Sequence, residues 1–268
     1  MMAAPPLAGE AKLAVVIPAF NEAGNIGLLI QEVAAAIPPG LLREIVVVDD
    51  GSEDETGREI DAMRPLVPQV RAVHHDRRSG QSAALRTGVR IATAPLVATL
   101  DGDGQNDPHD IPALLAALEA ASPDSVALAG GVRTKRRAES SKRIASKAAN
   151  WLRDAILADG CPDTGCGLKV FRRDVFLDLP YFSGMHRYLP ALVQAYGFGA
   201  VYVPVNDRPR RAGVSKYTNL GRALIGIYDL IGVRWLIKRT ILPDRARGAA
   251  SATAPAKSSH EEASCLPN

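Results

Sequence analysis

The sequence has few cysteines, few aromatic residues and no long apolar run. Its 3 cysteines, Cys161, Cys166 and Cys265, are too few for a disulfide framework and indicate a reducing, cytosolic compartment. No uninterrupted apolar stretch reaches the roughly 18 to 20 residues that cross a bilayer, so we expect no membrane-spanning helix. Residues 1–10 lack the basic start and apolar core of a secretory signal. These absences argue against a disulfide-rich secreted protein and an integral membrane protein.

The net charge of +3 is low, but the basic residues are unevenly distributed. One basic segment runs from Arg133 to Arg153 and a second from Arg208 to Lys216. Such clusters suit phosphate groups or an anionic membrane surface, although a solvated helix face is the plain alternative. Aromatic residues are only 5% of the chain and do not alternate with these basic residues. We therefore expect no nucleic-acid partner.

Apolar runs and helical periodicity alternate along the first half of the chain. The predicted strands are 13–17, 44–48, 70–74 and 96–100, and the predicted helices are 26–37, a segment after Ser52, 80–92 and 111–121. Ser52 and Glu55 have the spacing of a capping box for the second helix. This alternation is typical of βαβ units. It predicts an α/β fold with a doubly wound, mostly parallel sheet that is buried on both faces.

The second half alternates less regularly. Strands are predicted near 125–130, 167–171 and 200–205, and the apolar stretch 220–237 is interrupted by charged residues, which is typical of an interfacial amphipathic helix. The predicted domains are a disordered N-terminus (1–10), a main α/β domain (11–217), the interfacial amphipathic helix (218–242) and a disordered tail (243–268).

Two aspartates and a glutamine follow the fourth predicted strand in the run from Asp101 to Gln105. The carboxylates of Asp101 and Asp103 and the amide oxygen of Gln105 are hard oxygen ligands that can hold Mg2+ or Mn2+ and leave positions for substrate phosphates. Gly102 allows the backbone to fold tightly around such an ion. An acidic turn without a metal is the alternative.

A second acidic strand end lies at Asp49 and Asp50. Either carboxylate can accept hydrogen bonds from a base or a ribose, which predicts a nucleoside contact at the carboxyl edge of the sheet. A turn with a helix cap explains this segment about as well when it is taken alone. The segment from Pro18 to Glu22, after the first strand, adds a third polar strand end at the same predicted edge.

The ordered set of motifs resembles family 2 glycosyltransferases, in the polyprenyl-phosphate branch that includes proteins similar to dolichol-phosphate mannose synthase. The motifs are residues 16–22, 48–52, 80–88, 100–105, 163–173 and 210–217, and together they span about residues 12 to 240. The resemblance implies a GT-A fold for residues 11–217. It also implies a nucleotide-sugar donor carrying UDP or GDP, a polyprenyl phosphate acceptor and a Mg2+ or Mn2+ cofactor.

By the same resemblance, the donor is bound at the ends of the first, second and fourth strands and at the start of the third helix. The implied donor-binding residues are Pro18, Ala19, Asn21, Glu22, Asp49, Asp50, Gly80, Asp101 and Gly102, and the implied metal ligands are Asp101, Asp103 and Gln105. For Gly80, a helix start after a turn is an equal alternative.

The implied catalytic residues are Asp103, Asp163, Arg133, Arg143, Arg210 and Lys216. Arg133 and Arg143 match positions that hold the acceptor phosphate, and a guanidinium fork suits two phosphate oxygens. Asp163 matches the place of a general base. A lipid phosphate is already largely ionised at neutral pH, however, so an orienting role without proton abstraction is also open to Asp163. Arg210 and Lys216 lie in a loop that can neutralise the departing diphosphate.

The resemblance implies an inverting transfer at the cytoplasmic face of the membrane. Many relatives carry spanning helices after the catalytic domain, whereas this sequence shows one amphipathic stretch, so we expect peripheral attachment, with a small membrane subunit as an open further partner. Two other functions stay open at this point. One is a glycosyltransferase with a saccharide acceptor in cell-envelope or exopolysaccharide synthesis, and the other is a sugar nucleotidyltransferase.

Overall fold

A seven-stranded sheet organises the part of the chain described by this computed structural model, which is residues 11–134, 153–209 and 219–241, with side chains from residue 226 onward in the last stretch. The strands are β1 (Leu13–Ala19), β2 (Leu42–Asp49), β3 (Val70–His74), β4 (Leu96–Thr99), β5 (Val126–Arg133), β6 (Lys169–Arg172) and β7 (Gly199–Val205). The helices are α1 (Ile26–Ala36), α2 (Thr56–Met63), α3 (Gln81–Ile91), α4 (Ile111–Ala120), α5 (Arg173–Asp178), α6 (Leu189–Ala195) and α7 (Asn219–Arg239).

The strand order is β3-β2-β1-β4-β6-β5-β7. All neighbouring pairs are parallel except those of β6, which runs antiparallel to both β4 and β5. The predicted mostly parallel, doubly wound sheet is therefore confirmed. Because β1, β2 and β4 are parallel neighbours, their carboxyl ends lie side by side at one edge of the sheet.

Two apolar clusters cover the two faces of the sheet, and alternate residues of β1 supply both. Leu13, Val15 and Ile17 pack with α1, α2 and α4, while Ala14 and Val16 pack with α3, α5, α6 and α7. All five side chains are fully buried. A strand buried on both faces requires a continuous apolar run, which is why the sequence 13–17 has no polar residue.

The predicted capping box at the second helix is wrong. Helix α2 begins at Thr56 with Glu55 as its N-terminal cap residue, and no side-chain hydrogen bond caps it. The hydroxyl of Ser52 instead accepts a hydrogen bond from the backbone N–H of Asn21, at 2.9 Å. The hydroxyl oxygen of Ser52 is therefore bonded to the loop after β1 and does not cap the helix.

Helix α7 follows the last strand and packs with one face on the sheet's second apolar cluster. Leu230 and Val233 are buried there, whereas Ile227, Tyr228, Ile231 and Trp235 are exposed. None of the helices in the described residues has the length and apolar content that a membrane crossing needs. The predicted segments 1–10 and 243–268 lie outside the described residues.

Candidate active site at the carboxyl edge of the sheet

Three of the predicted segments meet where β2, β1 and β4 end. Ala19 pairs in register with Asp49, and the backbone N–H of Asp50 donates to the carbonyl oxygen of Ala19 at 2.8 Å. Gly102, three residues past the end of β4, lies so close to β1 that an added Cβ would be 3.1 Å from the carbonyl oxygen of Pro18. The structure therefore brings Pro18, Ala19, Asp49, Asp50 and the Asp101 loop to one edge.

Asn21 and Glu22 connect the loop after β1 to the loop after β2. The side-chain oxygen of Asn21 accepts from the backbone N–H of Glu53 at 2.8 Å, and the backbone N–H of Glu22 donates to the hydroxyl of Thr56 at 2.7 Å. Asn21 has a positive φ of 50°, which asparagine tolerates better than most residues. These contacts hold the two loops together beside the predicted nucleoside pocket.

Asp50 is buried and ties the end of β2 to the start of α3. Its carboxylate accepts from the backbone N–H groups of Ser79 at 2.9 Å and Gly80 at 2.7 Å, and it contacts Nδ1 of His75 at 2.8 Å. The hydroxyl of Thr87 lies 3.0 Å from Nε2 of the same histidine. Asp50 therefore positions Gly80, the residue before α3, in addition to any contact that it makes with a nucleoside.

Asp49 fixes the first turn after β2. One oxygen of its carboxylate accepts from the backbone N–H of Ser52 at 3.0 Å, and the other lies 3.3 Å from Nδ1 of His74. An added Cβ at Gly51, whose φ is 71°, would lie 2.7 Å from the backbone of Arg77 and Arg78. Glycine is thus required for the close approach of the β2–α2 and β3–α3 loops.

Asp101 and Asp103 form the acidic centre of the edge. Burial and the neighbouring carboxylate of Asp103 raise the pKa of Asp101 to about 6. The carboxylate of Asp103 accepts from the backbone N–H of Gln105 at 3.1 Å. A carboxylate whose pKa is raised by burial and by a neighbouring carboxylate favours a bound cation, because the cation offsets the repulsion between the two negative charges.

Gln81, the first residue of α3, and Gly167 define the position of Asp101. The side-chain N–H of Gln81 donates to Oδ1 of Asp101 at 2.7 Å. On the other side, an added Cβ at Gly167 would lie 2.5 Å from Cγ of Asp101. The carboxylate is therefore held between a hydrogen-bond donor and a glycine that leaves room for it.

Within the described residues, no group of three or more His, Cys, Asp or Glu side chains is arranged to hold a metal ion. Mg2+ sites in enzymes commonly have only one or two protein carboxylates and take their remaining ligands from water and substrate phosphates. Asp101 and Asp103, with the backbone of Gln105 bonded to Asp103, fit that kind of site rather than an all-protein metal cage.

Arg133, the last residue of β5, is paired with Asp163. The guanidinium donates from Nε at 2.7 Å and from Nη2 at 2.9 Å to the two oxygens of the carboxylate. Both side chains are largely buried, and these hydrogen bonds raise the pKa of Arg133 further above its usual value. This geometry suits Asp163 to orienting the arginine, the second of the two roles predicted for it.

The chain after β7 lies against the Asp101 loop. The backbone N–H of Arg208 donates to the carbonyl oxygen of Gln105 at 3.0 Å, and its guanidinium pairs with Asp107 and with Glu32. Arg210 follows two residues later in the sequence. Arg210, Lys216 and Arg143 lie outside the described residues.

A cavity of about 380 Å3 opens beside Asp101 on the α3 side of the sheet. Its polar lining residues are Gln81, Thr99, Asp101, Thr164, Lys169, His186 and Arg187. The sequence alone predicts no individual role at the site for Gln81, Lys169, His186 or Arg187. For Lys169 a weak signal exists, because a lysine inside the apolar run of β6 has to face a polar space.

The family model for glycosyl transferase family 2 matches residues 14–179. A dodecaprenyl-phosphate galacturonate synthase from Rhizobium johnstonii is 34% identical over 246 residues, which cover 89% of this chain and 71% of the relative. An undecaprenyl-phosphate 4-deoxy-4-formamido-L-arabinose transferase from Klebsiella pneumoniae is 32% identical over 233 residues, 86% of this chain and 69% of the relative.

Solved structures show the same fold at lower sequence identity. Glucosyl-3-phosphoglycerate synthase from Mycobacterium tuberculosis, in complex with Mn2+, UDP and glucosyl-3-phosphoglycerate, superposes with a TM-score of 0.62 at 20% identity. The match covers 87% of this chain and 81% of that protein. The predicted GT-A fold is therefore confirmed, and the chain is a glycosyltransferase that belongs to family 2.

Proposed function

We propose that this protein moves a sugar from a nucleotide-sugar to a polyprenyl phosphate with inversion at the anomeric carbon. Both curated relatives are named as transferases or synthases of polyprenyl-phosphate sugars, and they align with more than four fifths of this chain. The observation that carries the proposal is the placement of Asp101 and Asp103 at the same sheet edge as Asp49 and Asp50. That edge can hold a nucleoside at one end and its diphosphate at the other.

In this proposal Asp101, Asp103 and Gln105 hold Mg2+ or Mn2+. When bound, the ion would neutralise charge on the donor diphosphate. The raised pKa of Asp101 and the pairing with Asp103 support this role. Structures with the same fold contain Mn2+ or Mg2+ together with UDP, which favours a divalent ion and a uridine nucleotide here as well.

The donor nucleoside is proposed to bind among Pro18, Ala19, Asn21, Glu22, Asp49 and Asp50, with Gly80 and Gly102 beside the diphosphate. The hydrogen bonds among the loops after β1, β2 and β3 make this pocket rigid before the donor arrives, which lowers the entropic cost of binding. UDP is the favoured donor nucleotide and GDP is the alternative, and a donor panel that contains both kinds of sugar nucleotide distinguishes them.

The acceptor phosphate is proposed to bind on the side of β5, where Arg133 is oriented by Asp163 and where Arg143 would add a second guanidinium. An oxygen of the phosphate attacks the anomeric carbon from the face opposite the nucleoside diphosphate, so the configuration inverts. Arg210 and Lys216 would stabilise the departing diphosphate, and Arg208 brings the chain that precedes them to the Asp101 loop.

The test is a transfer assay with mass detection of the lipid product. Purified protein is incubated with Mn2+ or Mg2+, a panel of UDP- and GDP-sugars and a short polyprenyl phosphate. We expect one donor to give a lipid-linked sugar, and Asp103→Asn to reduce the rate on the order of 100-fold, because electrostatic stabilisation of the leaving group is lost. A soluble saccharide accepting the sugar in place of the lipid would favour the cell-envelope or exopolysaccharide alternative and refute the proposed acceptor.

We further propose that α7 attaches the protein to the membrane surface, which is the interfacial role predicted for residues 218–242. Ile227, Tyr228, Ile231 and Trp235 lie on one face of the helix and are exposed. By helical spacing Lys238 and Arg239 lie on the same face, and tryptophan and tyrosine favour the headgroup level of a bilayer. An apolar strip with basic neighbours is suited to anionic lipid.

The cytoplasmic leaflet is the proposed side of attachment. Cys161 and Cys166 are free and buried, which fits a reducing compartment, and the cytoplasmic leaflet carries the anionic lipids that basic residues bind. A small membrane subunit is a second proposed means of attachment for the same face of α7.

A further inference from the structure

The cavity beside Asp101 contains hydrogen-bond donors that no described residue satisfies. Lys169 is only 5% exposed, and its ammonium group donates to the backbone carbonyl of Cys166. No carboxylate among the described residues forms an ion pair with it. An ammonium group has three N–H donors, so two of them have no hydrogen-bond acceptor among the described residues, although the charge of Lys169 acts through space on the carboxylate of Asp101.

His186 adds a neutral donor to the same cavity. Its Nδ1 lies 2.7 Å from the hydroxyl of Ser82, and both lone pairs of that oxygen already accept backbone N–H groups, from Gly184 at 3.1 Å and from His186 at 3.5 Å. The hydroxyl proton of Ser82 is therefore directed to Nδ1, which leaves the ring proton on Nε2. Burial lowers the pKa of His186 to about 3, in agreement with a neutral ring.

Arg187 completes the set at the exposed rim of the cavity, next to His186 in the 3-10 turn Met185–Arg187. Lys169, His186 and Arg187 are thus all donors, and two of them are cations. The carboxylate at the rim, Asp101, already accepts from Gln81 and is the proposed metal ligand. A pocket with excess donors and positive charge favours a ligand rich in acceptors and negative charge.

From this arrangement we propose that the cavity is an anion subsite in which Lys169, His186 and Arg187 bind a carboxylate or phosphate group of a substrate. The inference rests on the proposed function for the identity of the substrates. Two sources have the required chemistry: the carboxylate of a uronic acid in the donor and, as an alternative to its placement beside Arg133, the phosphate of the lipid acceptor. Lys169 and Arg187 would then determine which sugar or which acceptor is used.

The first arm of the test measures donor binding and requires no transfer. Calorimetry with Mn2+ measures the dissociation constants of UDP-glucuronate and UDP-glucose. The two donors differ only in that glucuronate has a carboxylate where glucose has a hydroxymethyl group. If the sugar carboxylate occupies the subsite, the wild type prefers the uronate, and Lys169→Met and Arg187→Gln reduce that preference by roughly 10- to 100-fold, the range expected for a hydrogen bond to a charged group.

The second arm measures the KM for a short polyprenyl phosphate at saturating donor. If the acceptor phosphate occupies the subsite, the same variants raise this KM by a similar factor. They then leave the ratio of the dissociation constants of UDP-glucuronate and UDP-glucose unchanged. Lys12→Met is the matched control, because Lys12 pairs with Glu119 and neither residue lines the cavity. Arg187→Gln, at the exposed rim, keeps the test valid if Lys169→Met does not fold.

The proposal is overturned if neither variant changes the donor ratio or the acceptor KM by more than about twofold relative to Lys12→Met. This outcome differs from failure of the proposed function. A wild-type protein that transfers no sugar to lipid would refute that function, while the binding arm would still decide whether the cavity recognises a carboxylate.

Discussion

Gly167 is a single residue on which the position of Asp101 depends. It belongs to the turn before β6, while Asp101 follows β4, and the two approach each other because β4 and β6 are antiparallel neighbours. A methyl group at position 167 would occupy the space of the carboxylate. The sequence places a glycine in a Gly-rich turn there, but only the strand pairing explains why it must be glycine.

We expect Gly167→Ala to displace Asp101 and to reduce turnover on the order of 100-fold, because a shift of about 1 Å in a catalytic group has an effect of that size. Initial rates in the transfer assay check the expectation. Gly232→Ala on α7 is the matched control, since an added Cβ there meets no atom within 4 Å. Equal rates for the two variants would contradict the assigned role of Gly167.

His186 predicts a pH dependence of stability. Its pKa is about 3 in the folded protein and near 6.5 when exposed, so the unfolded chain binds the proton more readily. Stability is then unaffected by this group above pH 6.5 and decreases as the pH falls below that value, by at most about 1.4 kcal/mol per pH unit. Above pH 6.5 the histidine is neutral in both states.

His186→Gln should therefore weaken the dependence of unfolding free energy on pH between about 6.5 and 4. Urea denaturation of the wild type and the variant at several pH values measures this difference directly, because every other titrating group is shared. If the unfolding free energies of the two proteins changed equally with pH over this range, the ring would not be buried in its neutral form.

The site residues that the sequence predicted are those whose chemistry follows a strand end. Asp49, Asp50 and Asp101 stand directly after apolar runs, and parallel neighbours bring such ends together. Gln81, Lys169 and His186 could not be predicted in this way. They reach the cavity from a helix start, a strand interior and a 3-10 turn, and only the tertiary packing places them next to Asp101.

At the scale of elements, α3 connects the core to the site. Its residue Gly88 lies so close to β1 that an added Cβ would come within 3.0 Å of Val16 Cγ1, while its first residue donates to Asp101. A small residue in the helix thus allows the close packing that places the helix start at the sheet edge. The periodicity of 80–92 predicted the helix, but not how closely it packs.

Gly88→Ala should destabilise the fold by about 1–3 kcal/mol, the usual cost of overpacking a core. Gly27→Ala, in α1, is the matched control, because its added Cβ would meet neighbours at 3.8 Å or more. That change should be neutral or stabilising by up to about 1 kcal/mol, since alanine favours a helix. Thermal unfolding measures the stability of both variants. If Gly88→Ala were more stable than the wild type, the tight contact between α3 and Val16 would be disproved.

The antiparallel strand β6 is the element that sequence reasoning described least completely. The apolar run 167–171 predicted a strand, and the structure has one at Lys169–Arg172. The direction of β6 depends on the connection through residues 134–168. The length and composition of that connection do not predict whether the strand runs parallel or antiparallel to its neighbours. Direction is therefore a property of the whole sheet, whereas strand identity is a property of the local run.

At the scale of the whole molecule, the exposed face of α7 predicts vesicle binding. Vesicles that contain an anionic phospholipid should co-sediment with the protein at low salt and release it as salt is raised, because basic residues of α7 would contribute to the attraction. The variant Tyr228→Ser/Ile231→Ser/Trp235→Ser should lose most of this binding, since each large apolar side chain contributes about 1.5–3 kcal/mol when buried.

The same variant separates attachment from chemistry. It leaves the sheet edge intact, so donor binding in solution should be unchanged, while transfer to a polyprenyl phosphate presented in vesicles should fall in parallel with vesicle binding. Leu28→Ser/Leu66→Ser is the matched control, because both leucines are exposed apolar residues outside α7. If the control and the α7 variant lose vesicle binding equally, attachment is a general property of the surface. If neither loses it, another part of the chain holds the protein at the lipid where its acceptor lies.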